Sequence, residues 1–182
     1  MSDSDMGRGA RLLSAILGIA LFQGGAAPLK AQGLPGGAST LNEIHGDWSL
    51  ACAVSEAAPR CAISQTLVSE QNRQRVLGIE LQATGSAVSG ALLLPFGLDL
   101  SRGARLSIDA ADPLPPLSIA TCLPAGCIAP VALPAGAVSA MRAGSVLDVE
   151  VVAADTGQAV VFSLSLSGFT AALNRIVALD GS

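Results

Sequence analysis

Few side chains in this chain are equipped for chemistry, and their spacing decides how far that chemistry goes. His45 is the single histidine in 182 residues. A Ser-His-acid or Cys-His nucleophilic centre would have to use it, and the nearest acid placed to orient its ring is Asp47. No sequence pattern fixes that pairing, so the residue reads as a surface histidine beside a glycine. Metal sites built from several histidines are excluded. Carboxylates pair as Asp109/Asp112 and Asp148/Glu150. In the second pair the two acids share one strand face while Leu147, Val149 and Val151 take the other, the pattern of a solvated outer face. An acid/base dyad would need further groups converging from other strands. No dinucleotide, phosphate-loop or Gly-x-Ser-x-Gly pattern occurs, and Ser167-Gly168-Phe169 reads as a helix cap and start. The expectation is no catalytic residue, no cofactor-binding residue, no metal ligand and no enzymatic activity.

The chemistry with the clearest spacing is that of sulfur. The four cysteines are Cys52, Cys61, Cys122 and Cys127. An even count behind an export signal reads as disulfides, and sequence alone permits three pairings. Local pairing, 52 with 61 and 122 with 127, is favoured because each intervening segment holds turn formers: Pro59 in one, Pro124 and Gly126 in the other. Loops this short give about 2–3 kcal/mol each by chain entropy. The gaps do not fit the usual zinc spacing, and there is no Cys-x-x-Cys redox pair.

Composition sets the compartment. Arg8 and Arg11 precede the apolar run Leu12–Phe22, and small residues Gly24 to Ala27 follow. A run of 11 residues is short of the about 20 that a spanning helix needs, so residues 1–31 are read as a cleaved signal peptide. Of 10 Lys and Arg and 14 Asp and Glu, that segment holds Arg8, Arg11, Lys30, Asp3 and Asp5, which leaves 7 and 12 and a formal charge of −5. So acidic a chain lacks the electrostatic footprint of a nucleic-acid binder. With one Trp, four Phe and no Tyr, the aromatic anchors common in sugar, base and protein hot-spot sites are scarce.

The elements that would position these groups are short strands. Residues 32–44 are rich in Gly, Pro and Ser at their start and read as a flexible lead-in, with a single β domain over 45–180. Trp48–Val54 alternates with Trp48, Leu50, Cys52 and Val54 on one face. Cys61–Val68 follows with Cys61, Ile63, Gln65 and Leu67 on one face, so a hairpin would set Cys52 opposite Cys61. Trp48 reads as a core residue. Val76–Leu81, Val88–Leu94, Arg105–Asp109, Leu117–Thr121 and Cys127–Leu133 continue the pattern. Ser145–Ala154 and Ala159–Ser167, joined at Asp155-Thr156-Gly157, form the clearest hairpin. Helices are expected over Pro134–Ala143, with Pro in the first turn, and over Phe169–Leu179, where Phe169, Ala172, Leu173, Ile176 and Leu179 fall at helical spacing with Ser167 as cap. The fold class is mainly β: an antiparallel β-sandwich or partly closed barrel with one or two short helices.

Four segments carry a family resemblance. They are Gly46-Asp47-Trp48 followed by Cys52, Cys61 and Gln65; Leu93-Leu94-Pro95-Phe96-Gly97; Thr121-Cys122-Leu123-Pro124-Ala125-Gly126-Cys127-Ile128-Ala129; and Ser165-Leu166-Ser167-Gly168-Phe169-Thr170-Ala171-Ala172-Leu173. In this order and content the chain resembles the invasion-associated locus B family of exported bacterial proteins. The resemblance implies an envelope-associated, mainly β protein with two local disulfides, located in the periplasm or secreted to the outer surface. Some members of the family are linked to entry into host cells. The expected partner is an envelope or host-surface protein, and no cofactor, no nucleic acid and no stable membrane span after signal cleavage are expected. A periplasmic carrier of a small apolar ligand, held inside an aliphatic barrel, is the alternative.

Overall fold

The computed structural model describes residues 33–55 and 58–180. The expected signal segment, residues 1–31, lies outside the described residues, as do residues 56 and 57. Ten strands and two helices follow one another: β1 (Thr40–His45), β2 (Trp48–Ser55), β3 (Ala58–Val68), β4 (Arg75–Thr84), β5 (Ala87–Leu94), β6 (Arg105–Ile108), β7 (Thr121–Leu123), β8 (Gly126–Leu133), α1 (Ala135–Ala143), β9 (Val146–Val152), β10 (Ala159–Ser165) and α2 (Phe169–Asp180). Every strand pair is antiparallel. Seven strands form one sheet in the order β1-β2-β3-β4-β5-β8-β7, and three form a second in the order β10-β9-β6.

Period-two alternation turns each strand into a one-sided apolar surface. Leu77, Ile79 and Leu81 of β4, Leu92 and Leu94 of β5, and Leu147, Val149 and Val151 of β9 are all buried. They share a single core with Phe169, Leu173 and Ile176 of α2 and with Met141 of α1. Fully burying an aliphatic side chain contributes about 1.5–3 kcal/mol, and both sheets and both helices draw on the same core. The two sheets do not close on each other, so of the two expected architectures the open two-sheet form is present. The described strands lie in two separate sheets and do not form the aliphatic barrel of the carrier alternative, and Trp48 and Phe169 are fully buried in the core.

Four expectations change. Residues 40–45 are not a flexible lead-in, because β1 pairs with β2 from Thr40↔Ala53 to His45↔Trp48. Leu34 is also buried in the core, so the folded domain begins before His45. An edge strand needs only every second side chain on the core, and β1 supplies that with Leu41, Glu43 and His45 half-buried. Pro134 stands at the N-cap of α1, one place ahead of the first turn. At α2 the Gly168 carbonyl accepts the first helical bond from Ala172, which makes Gly168, and not Ser167, the N-cap. Leu117–Thr121 forms no strand: Leu117 bridges only Ala104, and β7 begins at Thr121. With the Leu114 N–H donating to the Leu106 carbonyl and the Leu117 N–H to the Ala104 carbonyl, the segment that holds Pro113, Pro115 and Pro116 covers the outer edge of β6.

Candidate functional site

Three of the residues with possible acid/base roles, His45, Asp109 and Asp148, are held in structural hydrogen bonds. The partner of His45 is Glu43, whose Oε2 lies 3.1 Å from the ring Nε2, and not Asp47. Glu43 in turn accepts three hydrogen bonds from the Arg175 guanidinium of α2, at 2.8 to 3.1 Å. Those bonds hold the Glu43 carboxyl below its ordinary range, helped by the His45 contact and opposed by desolvation. The same contact raises the Arg175 guanidinium. The trio clamps the edge strand β1 to α2. Asp109 accepts from the Ser145 and Val146 amides at 3.0 and 2.9 Å and so fixes the start of β9. Asp148 accepts from the Ser163 hydroxyl at 2.6 Å, and Glu150 is exposed on the outer face opposite Arg105 in register. Among the described residues no three His, Cys, Asp or Glu side chains group as a metal site.

The segments singled out in the sequence meet in pairs. At one end, the turn between β1 and β2 interlocks with the approach to α2. Gly46, at φ 57°, would place a Cβ 2.6 Å from the Ser167 carbonyl oxygen, and a Cβ on Gly168 would run into the His45 carbonyl oxygen. Only residues without a Cβ allow that approach. The Asp47 amide donates to the Ser167 carbonyl at 3.0 Å. Trp48 is fully buried, stacks edge-on against Phe169 with centroids 5.2 Å apart, and donates its Nε1–H to the Ser165 carbonyl at 2.9 Å.

Gln65 completes this junction. It is the one buried polar side chain among the described residues. Its Nε2 donates to the carbonyls of Asp47 and Ser165, at 3.1 and 2.9 Å, and its Oε1 accepts from the Ser165 amide at 3.0 Å. The amide therefore does for the end of β10 what a neighbouring strand would do. The sequence carried a signal for this role that was passed over: Gln65 sits on the inward face of β3 between Ile63 and Leu67. A polar side chain there must find partners.

At the other end, Leu93–Gly97 lies beside the cysteine turn. Cys52 bonds Cys61 across β2 and β3, and Cys122 bonds Cys127 across β7 and β8, each pair directly opposite in register with Cα atoms 4.1 and 3.9 Å apart. Cys127 is also opposite Leu94 of β5. The guanidinium of Arg75 reaches from β4 to donate to the Ala125 carbonyl at 3.0 Å. Held in this frame, Leu123 is 49 % and Phe96 60 % exposed. Beside them a surface depression of about 330 Å³ is bordered by Arg75, Glu80, Leu93 and Ile128, with Gly78 and Ala91 among its lining. No described helix is long and apolar enough to cross a membrane.

Residues 48–177 match the family model described as "Invasion associated locus B (IalB) protein". An invasion protein B homolog from Brucella abortus is 47 % identical over 150 residues, covering 82 % of this chain and 86 % of that one. Invasion protein B from Bartonella bacilliformis is 34 % identical over 150 residues, covering 81 % and 80 %. The crystal structure of invasion associated protein b from Bartonella henselae superposes with a TM-score of 0.73 at 33 % identity, over 78 % of this chain and 97 % of that one. Sequence match, shared fold and the four segments agree: the chain belongs to the invasion associated locus B family.

Proposed function

We propose that this protein is an exported, envelope-associated binding domain that acts through contact with an envelope or host-surface protein and catalyses nothing. The observation that carries the reading is the end of the fold built by Leu93–Gly97 and the cysteine turn. A disulfide and an arginine side chain hold Leu123 in place while its apolar side chain faces solvent, as does that of Phe96, two residues beyond Leu94, which is opposite Cys127 in register. Apolar groups held at a rigid surface lose little conformational freedom when a partner covers them. Membership in a family whose relatives are named invasion proteins supports the envelope and host-surface setting. Two disulfides in the structure support an oxidising compartment.

Photo-crosslinking in the native envelope tests this reading. A crosslinker at position 96 or 123 should capture a discrete partner, and one at the exposed Ala132 should not. Phe96→Ser with Leu123→Ser should abolish capture while the far-UV spectrum stays unchanged. Equal capture from all three positions, or capture untouched by the double substitution, sinks the reading.

A further inference from the structure

The three-stranded sheet has one edge covered and one open. The outer edge of β6 is closed by Leu114 and Leu117, as described above. The edge of β10 is open between Ala159 and Ser163. Its register with β9 runs without a bulge from Ala159↔Val152 to Ser165↔Val146. Leu166 donates to the Ser145 carbonyl, and the Gln158 carbonyl accepts from Ala153, so the even-numbered residues bond toward β9. Ser165 turns its N–H and C=O the other way, to Gln65 and Trp48. By strand alternation Val161 and Ser163 also aim their backbone groups at the open edge, where no described residue pairs with them. Natural edges are blunted with lysine, proline, a bulge or an inward charge, and Ala159-Val160-Val161-Phe162-Ser163 has none of these.

We propose that this edge is a self-association site, at which β10 pairs antiparallel with β10 of a second copy about a two-fold axis through Val161. The segment is self-complementary in that register. Val161 meets its counterpart as a hydrogen-bonded pair, Ala159 meets Ser163, and Val160 meets Phe162, an aliphatic–aromatic cross-strand pair on the inner face. Val160 and Phe162 are only partly buried in the single chain, and Val161 is 53 % exposed. No charged residue lies on the paired segment, so no like charges face each other. The Gln65–Trp48 stop at Ser165 shortens the edge offered to any long foreign strand. The two-fold register ends at Ser163, before that stop. Two three-stranded sheets become one of six strands, with an isologous interface.

The mature protein, disulfides intact, is the material for the test. Light scattering across a dilution series should give twice the chain mass at high concentration, falling to the chain mass on dilution. Over the same series, hydrogen exchange should show the Val161 and Ser163 amides gaining protection as the dimer forms. Val161→Lys sets two cations face to face and should leave a single-chain mass at every concentration. Because all described cysteines are paired, Val161→Cys introduces a lone thiol, which should oxidise to a covalent dimer faster than that of Val177→Cys on the exposed face of α2. A single-chain mass throughout with unprotected 161 and 163 amides overturns the proposal. So does protection that arises only when an envelope extract is added, which would make the occupant a foreign strand.

Discussion

Replacing Gln65 with leucine tests whether one buried amide joins the two sheets. The side chains are similar in size, so the change leaves packing nearly intact and removes three hydrogen bonds. Trp48 still serves the Ser165 carbonyl, so the groups left without a partner are the Ser165 amide and the Asp47 carbonyl. A stranded buried group costs about 1–3 kcal/mol, and the Asp47 carbonyl, on an exposed turn, can recover a water. Apolar burial of the leucine offsets part of the loss, which leaves a net cost of about 1–2 kcal/mol. Against a domain stability of about 5–15 kcal/mol this is readily measured, and with a urea dependence of about 2 kcal/mol per molar it lowers the midpoint by about 0.5–1 M. Urea titration under non-reducing conditions reads it. Trp48→Phe supplies the second arm of a double-mutant cycle. In the Gln65→Leu background it strands the Ser165 carbonyl as well, so the two changes should couple by more than about 0.5 kcal/mol. An unfolding free energy within about 0.5 kcal/mol of wild type, with strictly additive changes, would refute the junction as described.

Two further outcomes test the contacts around His45 and Glu43. Gly157 and Gly168 both hold positive φ, at 68° and 87°, yet a Cβ on Gly157 meets open space while one on Gly168 meets the His45 carbonyl. Gly157→Ala should cost only the left-handed backbone penalty, about 1–2 kcal/mol, and Gly168→Ala clearly more, so equal falls in Tm would contradict the interlocked turns. Glu43 carries a lowered carboxyl in the folded chain, so it binds a proton less readily folded than unfolded. Its contribution is therefore complete above the ordinary carboxylate range and is lost as pH falls through the lowered value. Glu43→Gln should flatten that acid limb of stability in a pH series of urea midpoints. A limb of unchanged depth would mean that the Arg175 contact adds nothing to folding.

Much of this protein is local and was therefore legible in its sequence. Alternation determined which side of β2, β3 and β9 faces the core, because a strand side chain's direction depends only on its parity. The hairpin at Asp155–Gly157, the five core positions of α2 and the opposition of Cys52 and Cys61 follow from spacing of the same kind. The bland readings of Asp148/Glu150 and Trp48 came from strand faces alone. What lay beyond reach was set by residues far apart in the chain. β1 was hidden because its inner face carries Glu43 and His45, which half-burial tolerates only with Arg175, 132 positions later, as partner for the acid. The choice of Glu43 over Asp47 for His45 has the same origin. The departure of β6 to a second sheet, which brings β5 against β8, depends on how the long connections fold back. Gln65 stood in plain sight as a polar residue on an apolar face, but its partners in β10 come from a separation of 100 residues. Sequence determined the faces; only the tertiary fold decided which faces meet, because pairing across long loops is settled by the joint burial of the whole core and the satisfaction of its few buried polar groups.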